Sequence, residues 1–291
     1  MGIVAQAYGQ QVALADLVIS EILFNPVKDG FDYIEGFNRS DHPIALETIM
    51  VANRNSSGEI AQIKPVTRSP LIVQAGSYFV VTENEKWLRQ HYRIPSGALV
   101  CQAPLPSLPD DEGTLIFLNI EDSIVDELNY QSAWHFSLLT DVAGVALERL
   151  NTELPAQNKN NWASASSASG YGTPGYQNSQ RAPMLPGKDR IMIQPKVFSP
   201  DNDGTNDFIL LDIKLEEPGF VMNTIVYDMS GRKIRWLLKN ETIGLEGQYK
   251  WDGLDDQSLP LPQGMYIVVS ELYNLRGQTK KFKNAVTLVR K

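Results

Sequence analysis

The chain has 291 residues, 43% of them hydrophobic and 21% charged, and a formal net charge of −8. This is the balance of a globular protein, long enough for two ordinary domains that each bury a core. Residues 1–180 carry 10 Lys and Arg against 20 Asp and Glu, the reverse of the basic footprint that nucleic acid requires. No run of about 18 apolar residues can form a transmembrane segment. Cys101 is the one cysteine, so an intrachain disulfide is excluded and the residue reads as a small buried filler.

Residues 1–14 read as a signal-peptide remnant or a disordered N-terminus. Ala5-Gln6-Ala7 has the small-x-small form of a signal-peptidase site, without a basic n-region or a full apolar h-region. From residue 15, short apolar runs recur between Gly, Pro and Asn punctuation, at 17–24, 33–37, 78–82, 114–118, 124–129 and 145–149. Such spacing predicts the strands of a sandwich or barrel. Helical periodicity is confined to 83–92. Trp134-His135-Phe136 is the most site-like cluster and reads as core packing at a strand end. Residues 151–180 are rich in Asn, Ser and Gly and read as a wrapping tail or linker that buries little surface. Residues 181–189, with Pro183, Pro186 and Gly187, form the expected linker.

Residues 190–291 repeat the β grammar, with strands expected at 190–195, 208–215, 223–229, 233–238, 248–251, 265–273 and 280–289. Met229-Ser230-Gly231-Arg232 and Asn274-Leu275-Arg276-Gly277 are the expected hairpin connections. Between the first two strands lies an acidic turn in which Asp201, Asp203, Thr205 and Asp207 alternate around Gly204. Oxygen side chains at every second position suit a hard cation such as Ca²⁺. The same letters make a solvated turn, since Asp, Asn and Gly bond their own backbone and tolerate positive φ.

Leu17-Val18-Ile19-Ser20-Glu21-Ile22-Leu23-Phe24-Asn25-Pro26, followed by Asp32-Tyr33-Ile34-Glu35, resembles the opening of lamin-tail domains. Ala146-Leu147-Glu148-Arg149, Asn161-Trp162 and Gly172-Thr173-Pro174-Gly175 extend the resemblance over about residues 15–180. The chain departs from that pattern at Gly36, where the family has an apolar residue, and at Ala146, where it has Ser. The resemblance implies an immunoglobulin-like β-sandwich without a catalytic group. Glu21, Asn25 and Glu35 then read as loop-pinning groups bonded to backbone N–H.

Residues 198–207, Val226–Arg232, Trp251-Asp252-Gly253 and 261–267 resemble the C-terminal sorting modules of Bacteroidetes proteins exported by type IX secretion. They are also similar to the immunoglobulin-like domain of flagellar hook-capping proteins. The stretch from Arg276 to Lys291 holds six basic residues and no acidic one. It reads either as a docking face for secretion machinery or as an edge strand protected by Lys. His42, His91 and His135 share no metal-ligand spacing, and the pairs Asp110-Asp111 and Asp255-Asp256 point to opposite faces of a strand. The expectation is therefore all-β, two immunoglobulin-like sandwiches in tandem at 15–180 and 190–291. The expected function is a non-catalytic, secreted or cell-surface protein with protein or glycan partners. The alternative is a glycan- or Ca²⁺-binding adhesion module of a larger surface protein.

Overall fold

The computed structural model describes residues 12–137, 139–181 and 189–290. The Ala5-Gln6-Ala7 signal and most of the expected 181–189 linker lie outside the described residues. The chain divides into two compact units. The first consists of residues up to 165 with 169–181, and the second of 166–168 with the residues that follow 181.

In the first unit the strands run β1 (Leu17–Leu23), β2 (Tyr33–Asn38), β3 (Ile44–Ala45), β4 (Ile49–Arg54), β5 (Ile60–Pro65), β6 (Ile72–Val73) and β7 (Tyr78–Thr82). Helix α1 (Glu85–His91) follows, then β8 (Leu99–Gln102), β9 (Glu112–Asn119), β10 (Ile124–Gln131), β11 (Leu147–Arg149) and β12 (Trp162–Ser164). They build a six-stranded sheet in the order β12-β11-β1-β2-β7-β8 and a four-stranded sheet in the order β10-β9-β4-β5. Ile19, Ile34, Phe79 and Leu147 of the first sheet share one core with Val51, Leu115 and Phe117 of the second. Phe79 and Phe117 meet with ring centroids 5.8 Å apart. Gly36 sits opposite Phe79 in the β2–β7 ladder, and a Cβ there would lie 2.2 Å from the Phe79 ring. That close approach is why an apolar side chain is missing after Glu35.

Every residue of β1 is buried, so the six-stranded sheet is covered on both faces. On its outer face α1 places Trp87 and Leu88 against Leu23, Tyr33 and Val80. Asn84 caps the helix by accepting the Trp87 amide at 3.0 Å, which starts it at Glu85. Residues 151–180 correct the expectation of a wrapping tail or linker that buries little surface. Asn161, Trp162, Ser164, Ala165, Thr173 and Gln180 are all buried. The stretch lacks apolar content but not hydrogen bonds: Trp162 Nε1 donates to Ala156 O at 2.8 Å and Asn161 Nδ2 to Asn151 O at 2.8 Å. Polar residues enter an interior when their bonds are satisfied there, a condition that composition does not report.

The second unit holds β13 (Arg190–Gln194), β14 (Val197–Phe198), β15 (Ile209–Lys214), β16 (Phe220–Asp228), β17 (Lys233–Ile243), β18 (Glu246–Trp251), β19 (Gly264–Tyr273) and β20 (Thr279–Leu288). Sheets β13-β15-β18 and β14-β20-β19-β16-β17 face each other across one core. Period-2 alternation supplies it: Ile191, Ile193, Leu211 and Ile213 from one sheet, Met222, Val226, Val268 and Leu288 from the other. Trp251 is fully buried, packs on Phe198 and Tyr266 at 5.4 and 5.7 Å, and donates its indole N–H to Leu254 O. Both expected hairpins form, with Gly231 and Gly277 at φ of 83° and 76°. The architecture is all-β, two immunoglobulin-like sandwich units in series.

Candidate functional site

The acidic turn leads from β14 toward β15. Asp201, Asp203 and Asp207 each place a carboxylate oxygen within 4.8 Å of the others. The turn also holds itself: Asp201 Oδ2 accepts the Ser199 hydroxyl, Asp203 Oδ1 the Thr205 amide at 2.8 Å, and Asp207 Oδ2 the Gly204 amide at 2.9 Å. Gly204, Asn202 and Asn206 take positive φ, the conformation for which Gly and Asn are suited. Thr205 joins the turn through its amide.

A second cluster is larger, buried, and only half visible in the sequence. In the β1–β2 and β1–β11 ladders Glu21 stands opposite both Glu35 and Glu148. Three neighbouring strands thus carry a glutamate in one row on the outer face of the six-stranded sheet. All three are 0% exposed. Segment 173–180 lies over them and supplies the donors. Glu21 Oε1 accepts the Thr173 amide at 2.8 Å and the Tyr33 hydroxyl at 2.6 Å. Glu35 Oε2 accepts the Gly175 amide at 2.7 Å, and Glu148 Oε2 the Gln180 amide at 2.8 Å. The Thr173 hydroxyl lies 3.0 Å from Glu21 Oε2 and 2.9 Å from Glu148 Oε1. The Ser179 hydroxyl bonds Glu148, and Asn178 reaches Ser20 O and Arg149 O.

Removing carboxylates from water disfavours their charge. Burial first, and the neighbouring Glu148 second, push Glu21 up to about 8. Burial and then Glu21 hold Glu35 well above the ordinary carboxylate range. Glu148 is also raised by burial, against hydrogen bonds from Ser179, Thr173 and Gln180. The loop-pinning role expected for Glu21 and Glu35 is what their bonds to Thr173 and Gly175 perform. Asn25 contributes its backbone carbonyl, which accepts the Gly144 amide. Glu148 and Thr173 both lie inside the lamin-tail-like motifs, but nothing local in the sequence connects residues 21, 35, 148 and 173 as partners.

The remaining sequence candidates are distributed through the fold. His135 is buried, with Nδ1 3.0 Å from Ser164 Oγ, and burial lowers it to about 4. His91 stacks on Trp87 within α1, and His42 lies beside Asp41. Asp255 braces its own turn by accepting the Leu259 amide, and Asp256 accepts the amide of Trp236 in β17. Of the basic C-terminal stretch, Arg276 pairs with Glu217, Lys280 with Asp189 and Lys281 with Glu271, while Arg290 donates to Leu261 O. Much of its charge is thereby compensated. Its last residue, Lys291, lies outside the described residues. Strand β20 pairs with β19 along its length and with the two residues of β14 at its end.

No family model and no curated protein matches the chain. Solved structures do resemble it. FLGD from P. aeruginosa is 20% identical with a TM-score of 0.25, over 36% of this chain and 78% of that one. Latent PorU from Porphyromonas gingivalis is 12% identical with a TM-score of 0.29, over 94% of this chain and 20% of that one. PorZ, a surface component of the type IX secretion system of the same organism, is 11% identical with a TM-score of 0.27, over 94% of this chain. The chain spans 39% of the PorZ structure's length. These likenesses concern β architecture alone. Among the described residues no helix is long and apolar enough to cross a membrane.

Proposed function

We propose that this chain is a non-catalytic module of an exported or cell-surface protein. In this reading the lamin-tail-like first unit makes the interaction, and the second unit serves export or anchoring by type IX secretion. The observation that carries it is the use made of the motif residues. Glu21, Glu35, Glu148, Thr173 and Gly175 are bonded to one another and to backbone, which fixes segment 173–180 on the outer face of the six-stranded sheet. Rigid sandwiches of this kind present loops to partners. The second unit has a core of its own, as a separable sorting module requires. Deleting residues 190–291 in the native host is expected to trap the protein inside the envelope; unchanged surface display would refute the sorting role. Calcium at Asp201, Asp203, Thr205 and Asp207 is proposed as a stabiliser of the entry to the second unit, on the chemistry of its oxygen donors. A glycan partner is the alternative, and a glycan array reads it directly.

A further inference from the structure

The row of Glu148, Glu21 and Glu35 and the segment that covers it form one hydrogen-bonded unit whose proton count is set by geometry. The Thr173 hydroxyl stands within bonding distance of two carboxylates, at 3.0 Å and 2.9 Å, yet it has one hydrogen. It can donate to one carboxylate only. The second contact is a hydrogen bond only if that carboxyl group is protonated and donates to the threonine oxygen. Among the described residues Glu35 Oε1 is shut off from solvent and has no hydrogen-bond partner. An ionised Glu35 therefore keeps one buried oxygen without a donor, and the Gly175 amide and the Ser20 hydroxyl are what oppose its burial. Hydroxyls and amides are what oppose the burial of these groups. The other titratable groups around the row are Tyr33, Tyr78, Tyr92 and Tyr176, with Arg181 against Tyr78 and Arg93 near Tyr176.

We propose that residues 171–181 are a proton-dependent strap, closed over the β11-β1-β2 face while a proton is retained among Glu21, Glu35 and Glu148, and released when rising pH removes it. The strap's grip is suited to this. Its amides at Thr173, Gly175 and Gln180 each bond a different glutamate of the row. A second uncompensated charge in the row repels the first and invites water beneath the segment. When the strap lifts, the glutamates meet solvent and regain the ordinary carboxylate range. The closed state therefore binds more protons than the open one. Its advantage is complete below that range and is lost as pH rises toward about 8, the value for Glu21.

Hydrogen exchange of the intact chain, followed by mass spectrometry across this pH window and corrected for the chemical exchange rate, tests the strap. Peptides covering 171–181 are expected to lose about tenfold in protection per pH unit for each proton released, while peptides from β4 and β9 stay level. Protection of 171–181 that does not change with pH overturns the proposal. So does a loss shared equally by β4 and β9, because that is global unfolding. Glu21→Gln supplies a permanently neutral group with a donor for the Thr173 oxygen, and is expected to flatten the slope at least twofold. A wild-type slope in that variant also overturns the proposal. If the variant fails to fold, the wild-type series decides alone.

Discussion

Arg149 offers the sharpest test of how the first unit is held together. Its side chain is 3% exposed, and its partner Asp126 is 13% exposed. Nη1 lies 2.8 Å from Asp126 Oδ2 and donates to Ile19 O at 3.0 Å, while Nη2 donates to Leu154 O at 2.6 Å. Asp126 Oδ2 also accepts the Ile19 amide at 2.9 Å. One guanidinium therefore ties β11, β1, β10 and the loop around residue 154. Arg149→Met keeps the aliphatic stem and deletes the charge and the donors. At an effective dielectric of about 20 the direct attraction at this distance is roughly 6 kcal/mol, before the cost of desolvating both ions. Removing one partner of such a buried pair costs about 3–5 kcal/mol, because the carboxylate is left behind uncompensated. For a unit of this size that is a fall in Tm of roughly 10 °C. Calorimetry of the intact chain resolves it if the second unit's transition stays in place. Adding Asp126→Asn should cost less than the sum of the single variants, with a coupling of about 1–3 kcal/mol from urea titrations. A loss below about 1 kcal/mol for Arg149→Met, or strict additivity, would refute the reasoning.

Two further outcomes are expected. His135 is lowered to about 4 by burial, so the folded state favours the neutral ring. Its contribution to stability is present above the unfolded value near 6.5 and is lost as pH falls toward about 4. Imidazole resonances that stay neutral down to about pH 4 agree with this, and a midpoint near 6.5 contradicts it. Millimolar Ca²⁺ is expected to raise the second unit's Tm by several degrees, through preferential binding to the folded state, and Asp203→Ala is expected to abolish the rise. No shift at millimolar Ca²⁺ removes the metal.

Local chemistry was enough to place most strands and both hairpins. Residues 208–215 and 265–273 alternate with period 2, and Gly231 and Gly277 supply the positive φ of their turns. The helix, the buried Trp251 and the packed Trp134–Phe136 triplet are likewise readable from neighbours in the chain. Strands β4 and β5 carry no such local signal: 60–65 is half-exposed with weak alternation, and its place is settled by pairing with β4.

The sequence by itself determined an all-β chain of short alternating strands and turns, because side-chain period and turn chemistry act over a few residues. It also named Glu21 and Glu35 as groups that pin loops. Only the tertiary structure decided that these two share a row with Glu148 beneath Thr173, residues separated by up to 152 positions. Strand register puts them side by side, and register follows from which apolar faces meet across the core. The same holds for residues 151–180. Their polarity argues for solvent until long-range hydrogen bonds are available, and those exist only once the six-stranded sheet is in place.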